Sequence, residues 1–201
     1  LVFMTTNEQF PIKVAGKTGY IEQNSIPGYA IQRVVGVGAS GYALLALDTA
    51  LQRNVVVKID REFGQIPTKQ LIQEALLVAR LKHPNIVKAF DAGTFRPAGL
   101  DVTVPFFCME FLSGSTVEQG FSALRRKNSL IENLVHFLSI CDAVRYAHTM
   151  GIAHGDLHAG NVLIVERGRI LVPMIIGFGL GMDRRSTILE ERTRSDLAHL
   201  L

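Results

Sequence analysis

Apolar positions along the chain follow two different periods. Ile31, Val34, Val35 and Val37 lead into a run of glycines, and Tyr42 to Leu47 lead out of it. Short apolar and β-branched runs on either side of a glycine cluster predict two strands around a tight turn within 29–47. Val55-Val56-Val57-Lys58-Ile59 predicts a further strand, Ile86 to Phe90 the next, ended by Asp91-Ala92-Gly93, and Val102 to Leu112 one more. The period lengthens to that of a helix twice. Leu71, Ile72, Ala75, Leu76, Val78, Ala79 and Leu81 predict a helix over 67–82, stopped by His83-Pro84-Asn85. Ile131, Leu134, Val135, Leu138, Cys141, Val144 and Tyr146 predict the inward face of a longer helix over 129–150. Ser129 with Glu132 reads as its capping box and Gly151 as its C′ residue. Residues 1–27 carry neither period and read as a mobile extension with a turn at Lys17–Gly19. Gly16-Lys17-Thr18 ends like a phosphate loop, but that motif needs glycine where Pro11 stands.

Composition adds bounds. The chain has 201 residues, 48% hydrophobic and 19% charged, enough to bury a sizeable core as one domain or two small lobes. Its net charge of +3 is spread without a block of like sign, which argues against a nucleic-acid arm. A pI near 9.0 suits an anionic ligand without requiring one. Cys108 and Cys141 lie in apolar runs and read as buried free thiols of a reducing compartment. Leu1 to Met4 lack the flank and core of a signal peptide. The most apolar stretch, 170–182, is too short and too rich in Gly and Pro to cross a bilayer. A cytoplasmic protein with neither membrane nor nucleic-acid partner is expected. The six histidines show no zinc spacing.

Three stretches carry candidate chemistry. Gly36-Val37-Gly38-Ala39-Ser40-Gly41 could fold backbone N–H groups over phosphates, since glycine has no Cβ to hold them off. A strand follows the glycines rather than a helix, which disfavours a dinucleotide fingerprint. Glu74 is the only carboxylate of its apolar helix and needs a cation; Lys58, at the end of its strand, is the natural candidate. His154-Gly155-Asp156-Leu157-His158-Ala159-Gly160-Asn161 places a carboxylate and an amide on one short loop, where the first can orient a hydroxyl and the second can hold a metal ion.

In that order, the motifs resemble those of the protein kinase superfamily, bacterial Ser/Thr kinases above all. The resemblance implies an α+β, bilobal protein kinase-like fold: an antiparallel β-sheet N-lobe with an αC helix, and a mainly helical C-lobe, here incomplete. The expected ranges are an N-terminal extension 1–28, an N-lobe 29–112 and a partial C-lobe 113–201. It implies ATP and Mg²⁺ as cofactors. Gly36, Val37, Gly38 and Gly41 would cover the phosphates, with Lys58 and Glu74 positioning them. Ala43, Val56 and Leu163 would sandwich the adenine, with Met109 as gatekeeper and Glu110 and Leu112 supplying hinge contacts. Asp156 would act as base on the acceptor hydroxyl and Asn161 would hold Mg²⁺. His154 would pack behind the loop.

The chain departs from the family pattern at three places. Gly155 replaces the usual Arg, and His158 the usual Lys. Ile176-Gly177-Phe178-Gly179 stands where the family has D-F-G, so the metal-binding Asp is replaced by Gly177, which implies a weakened Mg²⁺ site. After Gly179 the A-P-E segment is missing or abbreviated; 195–201 reads as the start of an αF helix, or 183–201 as a basic activation loop and a helix. Three functions remain open: a Ser/Thr protein kinase of impaired activity, a pseudokinase scaffold, or a small-molecule kinase acting on a hydroxyl acceptor.

Overall fold

Strands form where β-branched and aromatic residues alternate with small or polar ones, and each strand needs partners for its exposed backbone groups. In the computed structural model each described strand finds such a partner in an antiparallel neighbour. The structure describes residues 9–14, 17–38, 41–59, 68–119, 130–178 and 182–183. The chain divides into two compact units, one of residues 1–75 and 89–111, the other of 76–88 and 112–201. Residues 76–88, which fall in the expected N-lobe range 29–112, belong to the second unit.

The first unit is an antiparallel five-stranded sheet in the order β3-β4-β5-β7-β6, built from β3 (Tyr29–Gly38), β4 (Gly41–Asp48), β5 (Arg53–Ile59), β6 (Ala89–Phe95) and β7 (Val104–Glu110). Strand pleating sends alternate residues to opposite faces. One face carries Tyr42, Leu44 and Ala46 of β4, Val55, Val57 and Ile59 of β5, and Val104, Phe106 and Cys108 of β7, all in one buried cluster. The Cys108 thiol is pushed up to about 11, chiefly by burial, so it stays protonated and unreactive at neutral pH. The tight turn from β4 to β5 is closed by Asp48, whose carboxylate accepts from the N–H groups of Ala50 and Leu51 at 3.1 and 3.0 Å and from Arg53 Nε at 3.2 Å. These bonds, led by that from Leu51, hold its pKa below the usual carboxylate value.

The N-terminal stretch differs from the expected mobile extension. Phe10–Val14 (β1) pairs antiparallel with Lys17–Ile21 (β2), and Lys17–Gly19 is strand rather than turn. Ile12 and Ile21 are fully buried in the same cluster as the sheet residues. The backbone of Tyr20 exchanges two hydrogen bonds with Ala98, at 2.9 and 3.0 Å. Phe10 meets Tyr42 edge to face at 5.7 Å between ring centroids. The hairpin therefore covers the apolar face of the sheet, which would otherwise be exposed to water. Truncating Ile21 to Ala should lower unfolding stability by about 2–5 kcal/mol, the usual cost of deleting a buried aliphatic side chain. A denaturant melt measures it, and an unchanged midpoint would mean that the hairpin is detached in solution.

Helix α1 (Thr68–Arg80) buries Leu71, Glu74, Ala75, Leu77, Val78 and, just beyond its end, Leu81. Ile72, Leu76 and Ala79, expected inside, are exposed: they lie on the side of the helix away from the buried Leu71, Glu74, Ala75 and Val78. The strand expected over 86–90 starts later. Ile86 and Val87 instead lie beside Ile175, Val87 N donating to Ile175 O at 3.0 Å, and β6 runs on through Gly93.

The second unit is organised by α2 (Leu130–Thr149). It ends at Gly151, whose φ of 73° lies in the left-handed region and whose N–H donates to His148 O at 2.9 Å. That is the C-terminal geometry glycine favours. The proposed cap Ser129 lies outside the described residues. Ile140, Ala143, Val144 and Ala147 form the buried stripe. Ile131, Leu134, Val135 and Leu138 are exposed, a correction to the expected inward face. The physical reason is position: α2 packs on β9 (Ile152–Ala153) and β11 (Ile170–Ile175), and the side chains it buries lie in its C-terminal half. The loop after α1 is pinned to α2 by Lys82 N donating to Tyr146 OH at 3.1 Å and by the His83–Asp142 pair at 3.2 Å. β10 (Val162–Arg167) pairs with β11 on one side and with β8 (Gly114–Thr116) on the other, and β12 (Met182–Asp183) pairs with β9. Residues 184–201, where the αF reading falls, lie outside the described residues.

Candidate functional site

The first unit places its polar chemistry on the sheet face opposite the apolar cluster. β4, β5 and β7 align Ala43 with Lys58, Leu45 with Val56, Lys58 with Phe107 and Val56 with Met109. The pleat therefore sets Ala43, Val56, Lys58 and Met109 on one face. Ala43, Val56 and Met109 are half-buried, whereas the alternate residues Leu44, Val55, Val57 and Cys108 are fully buried on the other side. Lys58 Nζ donates to Glu74 Oε2 at 2.7 Å. The Lys58 side chain is 15% exposed and that of Glu74 3%. A carboxylate so far from water persists only beside a cation, so each charge is the condition for burying the other. β3 and β4 approach through the glycine cluster, Gly36 opposite Ala43 and Gly38 opposite Gly41, with Val37 exposed at the rim. Ala39 and Ser40 lie outside the described residues.

The second unit holds the loop from His154 to Asn161. Backbone and side chains fix it from within. Asp156 N donates to His154 Nδ1 at 3.3 Å, so the ring carries its proton on Nε2 and donates to Ile176 O at 2.8 Å. The imidazole is buried and packs tilted against Phe178 at 4.5 Å between centroids. His154 is thus a packing residue, as expected. Gly155 has a φ of 80°, a backbone state that disfavours the arginine usual there. Asn161 Nδ2 donates to Asp156 O at 2.8 Å, Asn161 N to His158 O at 2.9 Å, and Ile176 N to Asn161 O at 2.9 Å. The carboxylate of Asp156 stays half exposed, with His158 Nε2 at 3.9 Å. His158 Nδ1 accepts from Gly160 N at 3.1 Å, which puts its own proton on the nitrogen facing Asp156. Leu163 follows on β10, half-buried, opposite Met174 and Thr116.

The structure brings Lys58 and Glu74 into contact and joins Asp156, Asn161 and Gly177 through the loop. Glu110 ends β7 and is half-buried; Leu112 follows it and is likewise half-buried. Glu118 was not singled out in the sequence. A Cβ on Gly160 would lie 2.8 Å from Glu118 Oε2 and 2.7 Å from His158 Cε1, so a carboxylate from a distant segment sits over the loop glycine. Nothing in the local sequence signals it, because the proximity arises from tertiary folding.

The fit to a divalent cation rests on donor chemistry. Mg²⁺ is held by carboxylates together with substrate phosphates. Here Asn161 offers a neutral amide oxygen, and Gly177, at φ 80°, offers none. A Cβ at 177 would lie 2.8 Å from Asn161 Oδ1, so the carboxamide packs directly against the glycine. No group of three His, Cys, Asp or Glu side chains among the described residues could hold a metal ion. This donor set does not fit a resident Mg²⁺ site.

Comparison with known proteins gives a family model, described as a protein kinase domain, that matches residues 29–194. The serine/threonine-protein kinase PknD of Protochlamydia amoebophila is 30% identical over 78% of this chain and 17% of its own length. The probable serine/threonine-protein kinase PknB of Bifidobacterium longum is 32% identical over 77% of this chain and 23% of its own. The DNA damage-responsive serine/threonine-protein kinase RqkA of Deinococcus radiodurans is 30% identical over 83% and 23%. The chain thus spans about a fifth of the length of these curated relatives. Among the described residues no helix is long and apolar enough to cross a membrane.

Proposed function

Because the chain belongs to the protein kinase family, we propose that it is an ATP-binding kinase domain that directs the γ-phosphate to Ser/Thr hydroxyls of a protein substrate, with activity impaired by Gly177. The observation that carries this reading is the 2.7 Å ion pair between Lys58 and the buried Glu74. An ammonium held in place on a sheet face is suited to the α- and β-phosphates of a nucleotide. Gly36, Val37, Gly38 and Gly41 would lie over the phosphates, Ala43, Val56 and Leu163 against the adenine, with Met109, Glu110 and Leu112 along its edge. Asp156, fixed through its backbone yet half exposed, would orient the acceptor hydroxyl and receive its proton. Loss of one preorganised electrostatic group slows such reactions by on the order of 10²–10³. A cytoplasmic location belongs to the same reading.

A second reading, a pseudokinase that holds nucleotide without transfer, is favoured by Gly177. His158 in place of the usual Lys leaves room for a small-molecule hydroxyl acceptor. Transfer of label from γ-labelled ATP to a Ser/Thr peptide mixture tests the choice. Slow transfer that Asp156→Asn abolishes is expected. Equal transfer by that variant would contradict the role of Asp156, and bound nucleotide without any transfer would favour the pseudokinase. The adenine face is tested separately by Val56→Phe, whose ring should fill the base site and cancel the rise in melting temperature that ATP gives the wild type. Equal rises would refute the sandwich.

A further inference from the structure

We propose that this chain binds its nucleotide without a divalent cation, an inference that rests on the nucleotide-binding reading above. Three observations point to it. First, the segment where relatives in the family carry a metal-binding carboxylate carries Gly177, which supplies no oxygen from a side chain. Second, the glycine is built into its surroundings. Its φ of 80° lies in the region that L residues avoid, and a Cβ there would lie 2.8, 3.1 and 3.4 Å from Oδ1, Cγ and Nδ2 of Asn161. The Asn161 carboxamide has taken the ground that a side chain at 177 would need. It is held there by its own bond to Asp156 O at 2.8 Å. Third, among the described residues no group of three His, Cys, Asp or Glu side chains could hold a metal ion.

Mg²⁺ sheds its water reluctantly and does so for anionic oxygens in near-octahedral array. The neutral amide oxygen of Asn161, with no group of three His, Cys, Asp or Glu side chains beside it among the described residues, does not meet that demand. The positive charge that a triphosphate requires must then come from the protein, and Lys58 is the cation fixed in place for it. A metal complexed to free ATP in solution would add little to affinity, since the protein offers it no carboxylate ligand at residue 177.

The test is calorimetric titration of the full chain with ATP in three buffers: excess Mg²⁺, excess Mn²⁺, and EDTA. Dissociation constants agreeing within about threefold are expected. Binding about tenfold or more tighter with either metal than with EDTA would overturn the inference while leaving the nucleotide-binding reading intact. Absence of saturable binding in all three buffers would overturn both. Asn161→Ala serves as a control for the amide. Its affinity in Mg²⁺ should change no more than its affinity in EDTA, and a loss confined to Mg²⁺ would show that Asn161 holds the ion after all.

Discussion

Replacing Lys58 with Met should lower unfolding stability by about 3–5 kcal/mol, because it leaves the Glu74 carboxylate buried and uncompensated. Glu74 is 2% exposed, so water cannot take over the role of the ammonium. The double variant Lys58→Met with Glu74→Leu should regain most of that loss, since replacing both charges by apolar groups of similar volume is often neutral. Urea melts of the wild type, the single and the double variant measure the cycle. A single variant within about 1 kcal/mol of wild type would mean that the pair is solvated, as surface pairs are. The prediction separates the cost of burying a charge from any contribution to nucleotide binding.

The second large effect is expected at Gly177. Gly177→Ala should cost about 1–3 kcal/mol through left-handed backbone strain. Its Cβ must also displace the Asn161 carboxamide, and the lost bond to Asp156 adds about 0.5–1.5 kcal/mol. Gly177→Asp should be less strained in its backbone, because Asp tolerates the left-handed region better than Ala, but it meets the same contact at 2.8 Å. Restoring the family carboxylate alone should therefore leave phosphotransfer far below that of an intact family member. Thermal melts together with labelled transfer check both halves. A stable Gly177→Asp variant with full activity would show that the carboxamide yields freely and that glycine is the sole defect.

The contact between Lys58 and Glu74 was legible in the sequence. Glu74 stood out as the only carboxylate of its helix, and the cation proposed for it lies at 2.7 Å. The strand–glycine–strand order at 29–47 was readable because no helical period follows Gly41. The packing of His154 behind the loop was implied by the family resemblance.

What escaped were features that depend on distant contacts. The β1–β2 hairpin reads in sequence as a mobile extension, since Pro11, Lys13, Thr18 and Gly19 dilute its strand pattern. Its signal was the alternation Phe10, Ile12, Val14, too short to stand alone. The stripe from Ile131 to Leu138 was read as buried because periodicity defines a face of a helix without saying what covers it. Glu118 could not be foreseen near Gly160, since only folding brings the two together. The carboxamide of Asn161 against Gly177 belongs to the same class: the sequence places a glycine there, and only the fold shows that a side chain at 177 would meet Asn161.

The most direct measurement is the ATP affinity of the Lys58→Met, Glu74→Leu double variant, which the stability cycle expects to fold, set beside that of the wild type. Hydrogen bonds to charged groups contribute about 1.5–3 kcal/mol, so losing the ammonium should weaken binding by about ten- to a hundredfold. Equal affinity in the two proteins would contradict the assignment of Lys58 as the phosphate-binding cation, and with it the nucleotide site.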